Sequence, residues 1–315
     1  MSPRKASAHN DANDAEPPLR VVAIGGGTGL SALLRGLRAY AVSAAGWAPP
    51  AVEITAVVTV TDDGGSSGRL RRDFAVLPPG DIRNCMVALC EDESLLTRLF
   101  QYRFPAGGGL KNHSFGNLFL TALSNITGDF AQAVKVSSEV LAIAGRIFPS
   151  TATNVSLEAL LADGAKVVGE TNISKSRSRI TRVFLRPRRC RPLRETLDAI
   201  ETADLITLGP GSLYTSIVPN LLVQGIPEAI RRSAAGKLYI SNLMWQPGET
   251  EGFTASDHVR AILDHAGAPL LDAVLVNTRP IAPALRRKYA RQHAQPVEND
   301  IGEIERMGLK VVTAE

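Results

Sequence analysis

The sequence predicts an α/β protein whose mostly parallel sheet carries helices on both faces. Apolar runs of strand length alternate with helical stretches along most of the 315 residues, an alternation typical of parallel sheets. Several of these runs are apolar or β-branched throughout, as strands buried on both faces are. Two of them end in a glycine-rich turn that opens a helix, the place where open α/β sheets bind ligands.

Composition is that of a globular protein. Apolar residues make up 44% of the chain and charged residues 21%, both close to the values of ordinary domains. No apolar run approaches the roughly 20 residues that a membrane span needs, and residues 1–18 lack the apolar stretch of a secretory signal. We therefore expect a cytoplasmic protein without a membrane span, with 1–18 as a disordered tail and 19–315 as one domain.

Charge and cysteine content exclude several other classes. The net charge of +4 is mild, and the arginine run from Arg182 to Arg194 lacks the interleaved aromatic residues of a nucleic-acid interface. We expect no nucleic-acid partner and assign this run to a solvated face. The three cysteines, an odd number without Cys-x-x-Cys spacing, form neither a disulfide framework nor a zinc knuckle. Cys85 and Cys90 lie in an apolar segment, so we expect these two to pack in the interior.

The first half of the chain predicts strand, turn and helix in succession. Residues 61–80 are rich in Gly, Ser and Arg and predict a long loop, a feature that usually carries function inside a compact domain. Asp81 is expected to cap the helix that follows. Capping is compatible with a contact to the ligand. The predicted strands are 21–24 and 54–60, and the predicted helices are 30–40, 81–90, 95–102, 115–126 and 130–144.

The second half begins with a change from alternating strands and helices to a β-hairpin pattern. Residues 157–161 and 167–170 flank the turn Asp163-Gly164 and predict a β-hairpin, to which 182–185 adds a third strand. We interpret about 153–187 as a small antiparallel insertion. The alternation of strand and helix then resumes, with predicted strands at 204–208, 237–241 and 273–276.

The first glycine cluster favours a phosphate ligand. A phosphate close to the backbone leaves no room for side chains, and the helix that follows offers free amides and its positive end. Leu30 replaces the last glycine of the dinucleotide fingerprint, and no Lys-Ser/Thr pair follows as in a P-loop. A turn for close strand-helix packing is the alternative. The cluster is Gly25, Gly26, Gly27, Thr28 and Gly29.

The second cluster follows the second predicted strand. Two adjacent carboxylates repel each other unless a positive or hydrogen-bonding group lies near, and a divalent cation, an arginine or a ribose hydroxyl is the expected partner. Asp62 and Asp63 are therefore the candidate metal ligands, and an acidic, solvated turn is the alternative. The candidate ligand-binding residues here are Asp62, Asp63, Gly64, Gly65, Ser66, Ser67 and Arg69.

Three further clusters complete the expected crevice. A turn after the strand at 204–208 offers a second anion cradle, and a polar stretch follows the strand at 237–241. His113 is assigned to packing or to the surface. No nucleophile-base motif or protein-only metal motif appears. The additional candidates are Asp81, Asn84, Asn117, Gly209, Pro210, Gly211, Ser212 and Asn242.

Taken together and in this order, these motifs resemble the bacterial gluconeogenesis factor family (YvcK-like), which is related to the 2-phospho-L-lactate transferases (CofD-like). The resemblance covers about residues 20–300. It departs from the family pattern at Trp245, where a smaller residue is expected. The motifs that carry it are 25–30, 61–69, 79–84, 113–118, 209–217 and 246–250.

The resemblance implies a Rossmann-like, doubly wound core of the CofD type. It implies a UDP-sugar ligand, with UDP-N-acetylglucosamine first and NAD as an alternative, and a role in cell shape and wall synthesis during gluconeogenic growth. It implies no established catalysis, no required cofactor and, from the relatives, a homodimer. The transferase relatives move a phospholactyl group from a guanosine diphosphate derivative with magnesium, and their aspartate maps onto Asp62 or Asp63.

Two functions follow as hypotheses. The first is a regulatory protein that binds a UDP-sugar, with Thr28 and the glycine amides on phosphate and Asn117 and Asn242 on the base or sugar. The second is a magnesium-dependent transferase acting on a nucleotide diphosphate ester, with Asp62 or Asp63 on the metal. The lack of an evident general base favours the first. A pyridine-dinucleotide dehydrogenase is a weaker third, opposed by Leu30.

Overall fold

A computed structural model describes residues 17–42, 50–90, 95–176 and 178–314, so the expected tail lies outside the described residues except for 17 and 18. Within these ranges seven strands form one sheet in which every neighbouring pair is parallel, and this confirms the predicted fold class. Its strands are β1 (Leu19–Gly25), β2 (Val52–Val58), β3 (Arg146–Pro149), β7 (Leu205–Leu208), β8 (Gly236–Ile240), β9 (Ala273–Asn277) and β10 (Lys310–Ala314).

The strand order defines where a ligand is expected. The sheet runs β10-β9-β8-β7-β1-β2-β3, so the chain winds outward from its centre in two opposite directions. Because crossovers between parallel strands are right-handed, the connections of the two halves lie on opposite faces. The switch point is between β1 and β7, and open α/β sheets bind ligands outside the carboxyl ends of the strands at that point.

The helices form two packed groups that flank the sheet. Helices α1 to α6 contact one another, and α8 to α11 with α13 form the second group. A π-helical turn, Leu213–Ile217, leads from β7 into α9. The helices are α1 (Gly27–Ala41), α2 (Gly65–Phe74), α3 (Gly80–Leu89), α4 (Leu95–Gln101), α5 (Phe115–Thr127), α6 (Phe130–Val140), α7 (Glu170–Ile173), α8 (Arg194–Glu201), α9 (Val218–Leu221), α10 (Ile226–Arg232), α11 (Ala255–Ala266), α12 (Pro283–Ala290) and α13 (Ile301–Arg306).

A small antiparallel sheet lies between β3 and β7 in the sequence. Its strands are β4 (Ser156–Leu161), β5 (Lys166–Val168) and β6 (Ile180–Arg186), in the order β5-β4-β6. The predicted hairpin and third strand are therefore confirmed, and Gly164 takes the positive φ of 84° that its turn requires. The short helix α7 follows β5 and carries residues that reach the main sheet.

The predicted loop at 61–80 is wrong, because α2 occupies its centre. This helix was not recognisable from periodicity, since its buried face consists mainly of small residues, among them Ser66, Ser67 and Gly68. The neighbouring backbone explains this composition: a Cβ on Gly68 would lie 1.9 Å from the carbonyl oxygen of Asp63. The segment is packed closely against its own connection to β2.

Other boundaries also differ from the sequence-based expectation. Pro79 rather than Asp81 is the N-cap of α3, and Asp81 lies inside its first turn, so the capping interpretation is wrong. The predicted helix at 130–144 ends at Val140. The edge strand β3 begins at Arg146 and was missed because four residues carry little pattern. The strand β10 and helices α12 and α13 were also not predicted.

Two further expectations concern the cysteines and membrane-spanning helices. Cys85 and Cys90 are free thiols in the buried interior, as expected, and Cys190 is a buried free thiol as well. Among the described helices none is long and apolar enough to cross a bilayer.

Candidate functional site

A cavity of about 510 Å³ opens at the switch point between β1 and β7, and we call it the corner cavity. One wall is the turn from β1 into α1, and the facing wall is the turn that follows β7. The volume is that of an ordinary small-molecule site, which is typically 300–1,000 Å³. Its lining includes Gly26, Gly27, Thr28, Gly29, Pro210, Gly211, Ser212, Ser216, Asn242, Trp245, Gln246, Tyr289 and Gln292.

The two turns touch each other, so they face one crevice on the same edge of the sheet. A Cβ added to Gly29 would lie 2.4 Å from the carbonyl oxygen of Pro210. A Cβ added to Gly211 would lie 3.4 Å from the carbonyl oxygen of Gly26. Glycine is therefore required at Gly29 by the close approach of two backbones, as the alternative of a packing turn predicts. The same close approach brings the two turns to one crevice.

The residues at the start of α1 line this crevice. The amide of Gly27 donates to Oδ2 of Asp81 at 2.8 Å. The next two amides, those of Thr28 and Gly29, make no hydrogen bond with any described residue. They belong to the first turn of a 15-residue helix, whose amino end carries partial positive charge. This turn therefore offers free donors and favourable potential to an anion.

The outer wall of the cavity comes from the segment after β8 and from α12. Trp245 is fixed in place, because its indole Nε1 donates to the carbonyl oxygen of Phe253 at 3.1 Å. The side-chain amide of Gln246 donates to Oγ of Ser212 and so joins this segment to the second turn. Tyr289, from α12, is 39% exposed at the cavity mouth. The cavity thus has aromatic side chains on one side and backbone amides on the other.

The predicted site residues separate into two groups. Gly25 and Gly209 lie at the ends of β1 and β7, directly before the turns. The residues of the second cluster, with Asn84 and Asn117, lie outside the corner cavity, in the region of α2, α3 and α5. Those that line the cavity are Gly26, Gly27, Thr28, Gly29, Pro210, Gly211, Ser212 and Asn242.

The adjacent aspartates after β2 point in different directions. Asp62 Oδ1 accepts from the amide of Gly64 at 2.8 Å. Asp63 Oδ1 accepts from both the amide and the hydroxyl of Thr171, at 2.9 and 2.8 Å, and so holds α7 against the main domain. Arg71 is a positive charge near both carboxylates: burial lowers the pKa of its guanidinium, and the charges of Asp63 and Asp62 oppose that effect. Arg69 instead donates to the carbonyl oxygen of Lys111.

Carboxyl groups crowd behind the first turn. Burial and the charges of Asp62 and Asp81 raise the pKa of Glu170 to about 9. Burial also raises the pKa of Asp81 to about 6, against the lowering effect of the Gly27 amide. Glu249 is buried too, with its pKa raised, and accepts from the hydroxyls of Ser174 and Thr215 at 3.1 and 3.2 Å. Removing carboxylates from water favours the protonated forms.

A hydroxyl network occupies the start of α2. Ser66 Oγ lies 2.9 Å from Nδ1 of His113 and accepts from Nδ2 of Asn117 at 3.1 Å. All three side chains are buried, and burial lowers the pKa of His113. The packing assignment of His113 is therefore consistent with its position. Asn84, at the first turn of α3, accepts from the guanidinium of Arg83.

A metal site made only of protein ligands is absent from the described residues, where no group of three or more His, Cys, Asp and Glu side chains is arranged around a common point. Mg²⁺ commonly binds through one or two carboxylates plus ligand phosphates. Asp62 Oδ2 and Asp63 Oδ2 make no hydrogen bond with the described residues. Asp62 and Asp63 therefore stay the predicted metal ligands, although neither lines the corner cavity.

Several site residues escaped the sequence analysis. Tyr289 and Gln292 belong to a segment without a buried apolar face, so no periodic pattern marked it. Glu170 reaches the carboxyl cluster only because the small sheet docks beside the main one. The one sequence signal for Tyr289 and Gln292 was their place after the predicted strand at 273–276, because the residues that follow such a strand start at the edge of the sheet where ligands bind.

Comparison with known proteins places the chain in a family. Residues 21–315 match the family described as 2-phospho-L-lactate transferase CofD. A gluconeogenesis factor from Halalkalibacterium halodurans is 50% identical over 293 residues, covering 93% of this chain and 88% of its own. The gluconeogenesis factor of Bacillus subtilis is also 50% identical over 293 residues, covering 93% and 89%.

A longer relative and a crystal structure agree with this placement. A putative gluconeogenesis factor from Nostoc is 52% identical over 297 residues, and this chain spans 63% of its length. The crystal structure of a Bacillus halodurans protein superposes with a TM-score of 0.89 at 49% identity, over 94% of this chain and 92% of that one. The chain therefore belongs to the CofD family, in the group of the gluconeogenesis factors.

Proposed function

We propose that this protein binds a UDP-sugar in the corner cavity and acts as a regulatory binding protein. The observation that carries the proposal is the pair of free amides, Thr28 and Gly29, at the amino end of α1 within a crevice at the switch point of the sheet. A diphosphate is the anion that such a turn accommodates, because backbone donors and the helix end act together. UDP-N-acetylglucosamine is the first candidate ligand, and NAD is the alternative.

The chemistry of the lining supports binding rather than catalysis. The described residues that line the corner cavity include no carboxylate, imidazole or amine. A general base must lie within hydrogen-bond reach of the proton it removes, and the cavity offers hydroxyls, amides and aromatic rings instead. Tyr289 and Trp245 suit a planar base or the apolar face of a sugar. The proposed cellular role, control of cell shape and wall synthesis during gluconeogenic growth, would then depend on ligand occupancy.

A magnesium-dependent transferase is the second candidate. The observation that favours it is the position of Glu170 near Asp62 and Asp81: burial and the charges of these carboxylates raise the pKa of Glu170 to about 9. A divalent cation bound there would relieve the repulsion and supply charge stabilisation to a phosphoryl oxygen. Asp62 is the residue that would hold it, together with ligand phosphates.

Thermal denaturation separates the two candidates. The protein is heated with UDP-N-acetylglucosamine, NAD, GDP or GTP, each with and without magnesium. A ligand at 100 times its Kd adds about 2.7 kcal/mol to the free energy of unfolding. A shift with the UDP-sugar that is independent of magnesium supports the regulatory protein. A shift with GDP that requires magnesium supports the transferase, and no shift with any nucleotide contradicts both.

A further inference from the structure

A second pocket adjoins the corner cavity. It has a volume of about 310 Å³ and lies at the carboxyl ends of β8 and β9. Asn242 and Leu243 line both spaces, so the two are neighbours. We call it the arginine pocket, and its other lining residues include Asn277, Thr278, Arg279, Ile281, Arg286 and Asn299.

Two exposed arginines, Arg279 and Arg286, line this pocket. Neither Arg279 nor Arg286 forms an ion pair or a side-chain hydrogen bond with any residue in the described part of the chain. No acidic residue is among those that line the pocket. Asp300, which follows the lining residue Asn299, is engaged elsewhere, because it accepts from the amide and hydroxyl of Ser256 at 2.9 and 2.6 Å.

Helix α12 connects the two spaces. Arg286 lines the arginine pocket and Tyr289 lines the corner cavity. Residues three apart on a helix lie on the same face, about 5–6 Å apart at Cβ. A ligand that contacts Tyr289 is therefore about one helical turn from the Cβ of Arg286, and Arg279 lines the same pocket as Arg286.

We infer that the protein prefers a UDP-sugar with a second acidic group, a carboxylate on its sugar, to the neutral counterpart, and that Arg279 and Arg286 bind this carboxylate. This inference rests on the proposed function. The diphosphate occupies the turn at α1, and the uracil is uncharged, so the sugar is the part of the ligand that can supply a second negative charge. Guanidinium groups match the planar geometry of a carboxylate and bind it with two parallel hydrogen bonds.

Matched ligands test the inference by calorimetry. UDP-glucuronic acid differs from UDP-glucose only by a carboxylate at C6, and UDP-N-acetylmuramic acid is UDP-N-acetylglucosamine with a lactyl ether, which carries a carboxylate, on O3. In at least one pair the acidic member should bind about tenfold tighter or more, as a charge-assisted contact provides. R279Q and R286Q should abolish that preference and leave the affinity for the neutral member unchanged.

The control variant is R287Q, on the same helix but outside both linings, and it should retain the preference. Equal binding within both pairs, or a preference that persists when Arg279 and Arg286 are both replaced, overturns the inference while the proposed UDP-sugar function stands. Failure of all four nucleotides to bind overturns the proposed function and this inference with it.

Discussion

The carboxylate of Asp81 accepts a hydrogen bond of 2.8 Å from the backbone amide of Gly27. The two residues come from different helices, α3 and α1, so this contact ties the first turn of the candidate site to the α3 segment behind it. It also leaves Thr28 and Gly29 as the amides available to a ligand. An internal carboxylate thus occupies one donor and helps to orient the other two.

Substitution of Asp81 tests this role. Asp81→Ala leaves a buried amide without an acceptor and should lower the free energy of unfolding by about 1–3 kcal/mol. Asp81→Asn retains an oxygen acceptor and removes a charge that burial disfavours, so at pH 8 it should be at least as stable as the unsubstituted protein. Urea denaturation measures both. An Asn variant as destabilised as the Ala variant would contradict the assigned role.

Gly29 and Gly36 provide a matched pair on helix α1. A Cβ at Gly29 would lie 2.4 Å from the carbonyl oxygen of Pro210, whereas a Cβ at Gly36 meets nothing within 4 Å. Gly29→Ala must separate the two turns, which should cost about 1–3 kcal/mol and abolish the thermal shift with a UDP-sugar. Gly36→Ala should stabilise by about 0.5–1 kcal/mol and leave that shift intact. Equal ligand shifts in the two variants would show that the turns need not touch.

The network at Ser66 predicts a stability effect. Ser66→Ala leaves the buried groups of His113 and Asn117 without their shared hydroxyl, so we expect a loss of about 1–3 kcal/mol. Ser138→Ala is the control, because that hydroxyl bonds only to the carbonyl of Val134 on its own helix, and its removal should be nearly neutral. Chemical denaturation of the two variants measures the free energy of unfolding of each. A Ser66 variant as stable as the control would rule out a contribution of the network to stability.

The Gly-rich turns were predictable because each directly follows an apolar strand, and the carboxyl ends of parallel strands meet at one edge. Gly29 and Pro210 could therefore be assigned to one crevice before any coordinates. The contact of Asp81 with Gly27 was not predictable, since a carboxylate in the first turn of a helix resembles a cap. Tyr289 was missed because α12 has no buried face, and Glu170 because its position depends on how the small sheet docks.

Glu170 should make stability depend on pH. Its pKa in the folded protein is about 9, above the ordinary 4.5, so the folded state binds the extra proton between these values and stability falls as pH rises from about 4.5 to about 9. Glu170→Gln removes this contribution and should be more stable than the unsubstituted protein at pH 9, with a smaller difference at pH 5. Glu251→Gln, at an exposed position, is the control. A difference independent of pH would contradict the assignment.

The most direct test of the central claim is a crystal structure of the protein with UDP-N-acetylglucosamine. The account predicts the diphosphate within hydrogen-bond distance of the amides of Thr28 and Gly29, with the base or sugar against Tyr289 and Trp245. Diphosphate density at any other place, or the ligand bound while both amides stay unpaired, would contradict it.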